Sequence, residues 1–164
     1  MKIGVIIPAA GQSNRFGSRD KLSEDLGGRP LLLRTVEFFT KREDVLEIVV
    51  AGPPDEFEAF QDRFGPALSF HGVKIVKGGS KGRWESVQLA LPSISDQIDR
   101  VVIHDAARPA LFNELFDSLI LASEKFDAVA AALPIHGTIK RAEIEPTSIG
   151  DEDEIADSIL GCET

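Results

Sequence analysis

The chain has 164 residues, of which 43% are hydrophobic and 27% charged, a composition typical of one globular domain with a small appendage. Its net charge is −9 at pH 7, and residues 143–164 hold eight acids and no Lys or Arg, so the basic excess that nucleic-acid binding needs is lacking. There is no apolar run of the roughly 20 residues that cross a bilayer, no secretory signal and only one cysteine, Cys162, so we expect a cytoplasmic protein without a disulfide or a membrane contact.

Strand and helix patterns alternate along the sequence. In chain order the predicted elements are a strand at 2–8, a helix at 30–42, a strand at 46–51, a helix at 55–64, a strand at 73–76, a helix at 83–91, a strand at 100–104, a helix at 112–125 and a strand at 127–134. This alternation predicts an α/β fold, a Rossmann-like and mostly parallel sheet with helices on both faces. Ligands of such sheets bind beyond the carboxyl ends of the strands, so the chemistry is expected directly after them.

The first segment of this kind is Pro-Ala-Ala-Gly-Gln-Ser-Asn-Arg-Phe-Gly at residues 8–17. Its small residues let backbone N–H groups approach an anion closely, and Arg15 and Lys21 add two cations. It lacks the Gly-Lys-Ser/Thr of a Walker loop and the Gly-x-Gly start of a dinucleotide fingerprint. Taken alone, it is equally compatible with an ordinary turn that carries solvated charges.

Three later segments also follow predicted strands. Residues 78–87 (GGSKGRWESV) place glycines before cations and a Ser at a helix start, which suits phosphate or base contacts, although a turn with an N-cap explains the segment alone. Residues 104–109 (HDAARP) put the carboxylate of Asp105 where Mg²⁺ can bind, or where it caps a turn. Residues 134–141 (PIHGTIKR) form either an arm or an exposed basic turn.

Taken together and in this order, the four segments resemble the 2-C-methyl-D-erythritol 4-phosphate cytidylyltransferase family of nucleotidyltransferases. The family pattern has Pro-Ala-Ala-Gly followed by an Arg and a Lys, then Gly-Gly with Arg-x-x-Ser-Val, His-Asp-Ala-Ala-Arg-Pro and Thr-x-Lys-Arg. These motifs stand here at residues 8–11, Arg15, Lys21, Gly78, Gly79, 83–87, 104–109 and 138–141. The resemblance covers about residues 3–143.

This sequence departs from the family pattern in three places. Gly137 stands where the family usually has Asp, and the glycine loop is one residue longer than usual. The usual C-terminal continuation, with a Thr-x-x-Arg segment, a Gln-Thr-Pro-Gln segment and a late Lys, is not recognisable, and an acidic stretch at residues 151–154 stands near the end instead. The sequence therefore resembles a truncated or divergent member.

The resemblance implies transfer of CMP from CTP to 2-C-methyl-D-erythritol 4-phosphate, with release of pyrophosphate, by a homodimer. Arg15 and Lys21 would be the catalytic cations. The nucleotide would contact Pro8, Ala9, Ala10, Gly11, Gly79, Arg83 and Ser86. The acceptor would meet Asp105, Arg108 and Thr138, and Asp105 would also hold Mg²⁺.

The implied organisation is a nucleotide-binding domain at 1–134, a β-arm near 135–150 that is exchanged between subunits, and an acidic terminal segment at 151–164. Within that segment, the spacing of Ile155, Ile159 and Leu160 predicts a short docked helix. Two other functions stay open. One is another polyol- or sugar-phosphate nucleotidyltransferase, such as a ribitol-phosphate cytidylyltransferase, whose third motif usually differs at the position of Ala107. The other is a truncated, non-catalytic nucleotide-binding module.

Overall fold

Four parallel strands form one sheet in the computed structural model, which describes residues 1–11 and 20–134. The strands are β1 (Ile3–Pro8), β2 (Val45–Gly52), β3 (Lys74–Lys77) and β4 (Arg100–Ile103). The helices are α1 (Leu31–Thr40), α2 (Phe57–Phe70), α3 (Arg83–Ala90) and α4 (Asn113–Ser123), with short 3-10 helices at Lys21–Ser23 and Leu91–Ser93. All of these elements lie in one unit, Met1–Val129.

The strand order is β3-β2-β1-β4, which makes β1 the pivot of the sheet. The chain runs outward from β1 through β2 to β3, and then returns to the opposite side of β1. On the two sides of β1, Ile6 is in register with Val49 of β2 and with Ile103 of β4. A parallel sheet whose strand order reverses in this way opens a crevice beyond the carboxyl ends of the strands at the reversal.

Helices cover both faces of the sheet, as predicted. Strand β1 is apolar throughout because side chains on successive residues enter different cores. On one face Val5 and Ile7 pack with Phe39, Phe64 and Phe116 of α1, α2 and α4. On the other face Ile6, Val49, Ala51 and Ala90 form a smaller core beside α3. The predicted Rossmann-like parallel sheet is thereby confirmed.

Helix α2 begins two residues later and ends six residues later than predicted. The pair Gly65-Pro66 is a sequence signal for a helix end, because proline removes a backbone donor and restricts the residue before it. The helix continues because Phe60, Phe64 and Leu68 are spaced four residues apart and all three are buried. Burial of a leucine contributes about 1.5–3 kcal/mol, which offsets much of the roughly 3 kcal/mol that an interior proline costs.

The strand predicted at 127–134 is wrong. These residues have no helical or strand hydrogen bonding and their side chains are exposed. An apolar segment becomes a strand only when another strand pairs with it, and β4 pairs only with β1 within the described residues. The predicted arm at 135–150 and the predicted terminal helix lie outside the described residues. The described part has no helix that is both long enough and apolar enough to span a bilayer.

Candidate active site

A cleft of about 920 Å³ lies at the carboxyl ends of the four strands. Its wall includes the loops that follow β1, β2, β3 and β4, as the reversal of strand order at β1 requires. Every predicted site residue within the described part of the chain lines this one cleft: Pro8, Ala9, Ala10, Gly11, Lys21, Gly79, Arg83, Ser86, Asp105 and Arg108. Arg15 and Thr138 lie outside the described residues, so their places in the site stay predictions.

Close packing at Gly78 joins the ends of three strands. Its N–H donates to the carbonyl oxygen of Gly52 at 2.8 Å. A Cβ atom at this position would lie 2.8 Å from that oxygen and 2.8 Å from the Cβ of Ala10. Only glycine fits here without displacing backbone, so the first glycine of the Gly-Gly motif has a packing reason. It fixes the distance between the loops that follow β1 and β3.

Ser86 anchors the glycine loop from within the protein. Its side chain is 1% exposed, and its Oγ accepts a hydrogen bond from the buried N–H of Gly79 at 3.1 Å. Glu85, which the sequence motifs did not identify, holds the next part of the loop, since its Oε2 accepts from the N–H of Lys81 at 2.8 Å. A Cβ on Gly79 would lie 2.3 Å from the Glu85 carboxylate. The second glycine and the two side chains of α3 therefore set the loop's shape.

Asp105 lies between two arginines that the sequence motifs also singled out. Arg83 Nε donates to its Oδ1 at 2.7 Å, and Arg108 Nε lies 2.8 Å from its Oδ2. Burial disfavours the charged form of Asp105, but the hydrogen bond from Arg83 and the charges of Arg83 and Arg108 outweigh it, so the pKa of Asp105 lies below its ordinary value. The group is a carboxylate at neutral pH and does not serve as an acid.

The loop that carries Asp105 is tied to the core. Thr35 of α1 is buried, and its Oγ1 donates to the carbonyl oxygen of Ala106 at 2.8 Å. His104 Nε2 lies 2.9 Å from the carbonyl oxygen of Arg108, and its ring meets the ring of Phe39 edge-on at 5.2 Å. His104 therefore has structural contacts, in keeping with its absence from the predicted site residues. These ties hold the carboxylate of Asp105 at the cleft.

Lys21 lies in a short capped turn at the cleft wall. Asp20 accepts a hydrogen bond from the N–H of Leu22 at 3.0 Å, which caps the 3-10 helix Lys21–Ser23. Leu22 is buried in the larger core. Because the adjacent Leu22 is anchored in the core, the backbone position of Lys21 at the cleft is fixed.

Several cleft residues were not predicted. Arg63 of α2 lines the cleft, as do the residues that follow β2, namely Pro53, Pro54, Asp55 and Glu56. The place of residues 53–56 directly after β2 could have identified them as cleft residues, because every strand of a parallel sheet has its carboxyl end at the same edge. Arg63 stands in a helix of mixed composition, and nothing in its local sequence separates it from a solvated arginine.

The cleft contains groups that can bind an anionic ligand. Its wall carries four cations, Lys21, Arg63, Arg83 and Arg108, and four carboxylates, Asp20, Asp55, Glu56 and Asp105. Arg83 and Arg63 each bond one of these carboxylates, and the small residues after β1 allow backbone N–H groups to approach phosphate oxygens. Within residues 1–11 and 20–134 there is no group of three or more His, Cys, Asp or Glu side chains that could hold a metal ion by themselves.

A parallel sheet of this order, with a ligand cleft at its carboxyl edge, defines a Rossmann-like α/β protein. The family model described as 2-C-methyl-D-erythritol 4-phosphate cytidylyltransferase matches residues 3–154, and the chain belongs to this family.

Individual relatives agree with this assignment. The chain is 36% identical over 146 residues to the 2-C-methyl-D-erythritol 4-phosphate cytidylyltransferase of Frankia casuarinae, covering 88% of this chain and 53% of the relative. It is 34% identical over 149 residues to the enzyme of the same name from Clostridium perfringens, covering 90% and 65%. The crystal structure of 4-diphosphocytidyl-2C-methyl-D-erythritol synthase from Anaerococcus prevotii superposes with a TM-score of 0.70 at 26% identity, covering 99% of this chain and 68% of that one. The chain thus spans between half and two thirds of the length of the two curated relatives.

Proposed function

We propose that this chain transfers CMP from CTP to 2-C-methyl-D-erythritol 4-phosphate and releases pyrophosphate. The observation that carries the proposal is the convergence of the motif residues on one cleft, since segments nearly a hundred residues apart in sequence line it together. The relatives named as cytidylyltransferases for this acceptor support the choice of substrates. In keeping with the single cysteine, we place the reaction in the cytoplasm.

The reaction needs positioning and charge stabilisation more than covalent chemistry by the protein. An oxygen of the acceptor phosphate attacks the α-phosphorus of CTP and forms a new P–O bond. The bond from the α-phosphorus to the oxygen that bridges it to the β-phosphate breaks, and pyrophosphate leaves with that electron pair. Lys21, at the cleft wall, would offset the negative charge that builds on the phosphoryl oxygens. Arg15 keeps the same role as a prediction from the family pattern.

The two substrates would occupy different parts of the cleft. The backbone around Ala9, Ala10 and Gly11 would lie against the nucleotide, and the loop held by Gly79 and Ser86 would select the cytosine base. Arg108 and Asp105 would face the acceptor, where the arginine supplies a cation for its phosphate and the carboxylate accepts from its hydroxyl groups. Thr138 would join them. Arg83 bonds to Asp105 and would link the two halves of the site.

Magnesium fits this site as an ion shared with the substrate. Asp105 supplies one carboxylate, and each of its oxygens has one arginine partner, which leaves further lone pairs for a cation. Mg²⁺ usually takes one or two carboxylates and completes its shell with phosphate oxygens and water. When bound, it would neutralise part of the triphosphate charge. We expect EDTA to abolish pyrophosphate release and Asp105→Asn to weaken it; full activity in EDTA would exclude the metal.

The decisive experiment measures pyrophosphate release from CTP with and without 2-C-methyl-D-erythritol 4-phosphate, beside CTP binding by calorimetry. Acceptor-dependent release supports the proposal. Release with ribitol phosphate or another polyol phosphate instead would identify a different nucleotidyltransferase. CTP binding without release would identify a nucleotide-binding module.

The homodimer implied by the family resemblance is also part of the proposal. In this proposal the arm predicted at 135–150 would carry the predicted acceptor residue Thr138, so a monomer would lack a contribution that a partner subunit supplies. Light scattering of the purified chain measures the mass directly. A mass of one chain at micromolar concentration, together with full activity, would contradict the dimer.

A further inference from the structure

Arg63 reaches from α2 across the cleft wall to the turn that carries Lys21. Its Nη1 donates to Asp20 Oδ2 at 2.7 Å and to Ser23 Oγ at 2.9 Å. Asp20 and Ser23 stand on the two sides of Lys21, so one guanidinium nitrogen spans the turn. Arg63, Asp20 and Lys21 all line the cleft.

The Asp20 carboxylate has a full set of partners only when Arg63 is present. Its Oδ1 accepts from the N–H of Leu22 at 3.0 Å, and its Oδ2 accepts from Ser23 Oγ at 2.6 Å as well as from Arg63. The first two bonds shape the turn, and the third neutralises the charge. Without the arginine, an unbalanced carboxylate would stand next to Lys21 at the wall of an anion-binding cleft, where it would attract the lysine ammonium and repel phosphate.

The solvent exposure of Arg63 and Asp20 determines how much their contact adds to folding stability. The side chain of Arg63 is 54% exposed and that of Asp20 is 40% exposed. Ion pairs at such exposure add little to folding stability. The contact therefore matters for the position and charge environment of Lys21 far more than for holding α2 in place.

We propose that Arg63 is a positioning residue that holds the Asp20–Ser23 turn so that Lys21 faces the phosphates of a nucleotide bound in the cleft. The inference deepens the proposed function and rests on it for the identity of the ligand. Arg63 acts through Lys21 in this proposal, and direct contact between Arg63 and phosphate is the competing arrangement. The two arrangements differ in whether the effect of Arg63 depends on Lys21.

The test is a double-mutant cycle on CTP affinity, measured by calorimetry with Mg²⁺. Arg63→Gln is expected to weaken CTP binding about tenfold, a size typical of residues in one network, and to change it less than about twofold when Lys21→Ala is already present. Arg63→Lys keeps a cation that can bond Asp20, and most of the affinity returns. Arg29→Gln is the matched control: Arg29 is 51% exposed and paired with Glu37, it does not line the cleft, and its loss should leave CTP affinity unchanged.

If Arg63→Gln weakens CTP binding equally with Lys21 present and with Lys21→Ala, the inference is overturned, because Arg63 would then contact the phosphates itself. An Arg63→Gln variant with wild-type affinity would overturn it as well. The cycle uses affinity and not turnover, so the outcomes stay distinct: wild-type protein that binds CTP but releases no pyrophosphate refutes the proposed transferase, while the affinities still decide the role of Arg63. Wild-type protein that binds no CTP overturns both.

Discussion

Replacement of Ser86 by alanine tests whether the glycine loop depends on one buried hydroxyl. Ser86 is 1% exposed, and its Oγ is the acceptor for the buried N–H of Gly79 at 3.1 Å. Ser86→Ala removes the acceptor, so the buried amide of Gly79 loses its protein partner. Such a loss costs about 1–3 kcal/mol in the free energy of unfolding, which for a chain of this size lowers Tm by roughly 2–12 °C.

Urea and thermal unfolding measure the loss of stability, and calorimetry with CTP measures the change in CTP affinity. We expect CTP to bind roughly threefold to tenfold more weakly, because the Gly79 amide is free to turn away from its place at the cleft. Ser118→Ala is the control: this exposed serine of α4 bonds the carbonyl oxygen of Glu114 at 2.7 Å, and its loss should change stability by less than about 0.5 kcal/mol. If Ser86→Ala matches Ser118→Ala in stability and binds CTP like the wild type, the anchoring role of Ser86 is wrong.

Three further predictions concern charge and core packing. Lys21→Ala should lower pyrophosphate release about 100- to 1000-fold with little change in Tm, and a near-normal steady-state rate would remove Lys21 from the mechanism. The hydrogen bond from Arg42 lowers the pKa of Asp44, so this pair stabilises the fold above the ordinary carboxyl pKa of about 3.9 and the contribution is lost as pH falls through the lower folded pKa. Asp44→Asn should therefore flatten the acid decline of the free energy of unfolding in urea titrations at pH 7 and pH 3; an unchanged decline would mean that the pair adds nothing. Phe64 is 1% exposed, and Phe64→Ala should cost about 3–5 kcal/mol in urea unfolding; a loss under about 1 kcal/mol would contradict its place in the core.

The strand and helix order could be predicted because short apolar runs and helical spacing are local properties of the sequence. Where the prediction is wrong, a distant contact decides the structure. Helix α2 passes through Gly65-Pro66 because Leu68 continues a buried stripe, and burial is a property of the assembled fold. The segment 127–134 has an apolar pattern typical of a strand but no strand pairing in the described part of the chain.

The site could be predicted as a set of motifs, and the structure explains why some of their members are needed. The second Gly of the motif and Ser86 bond each other, and Arg83 bonds Asp105 across the cleft, although the local sequence shows neither contact. Arg63 had no sequence signal at all, because its partners stand some 40 residues away. Contacts of this kind depend on the packing of α2 against the first loop, which only the tertiary structure contains.

Because β1 pairs with β4, the cleft is completed only late in the synthesis of the chain. Ile6 pairs with Ile103, and the cleft is complete only when the loop with Asp105 and Arg108 follows. A growing chain can form β1, β2, β3 and part of both cores well before this, but the Asp105 side of the cleft is still missing. A ligand stabilises only the state that it binds, by about 2.7 kcal/mol at a hundred times its Kd. A nucleotide that contacts both sides of the cleft would therefore assist folding only after β4 has docked. Parallel strands also join residues far apart in sequence, which slows folding. Within the described part of the chain, β1 and β4 are the paired strands with the largest separation in sequence, so we expect β4 to dock after β2 and β3.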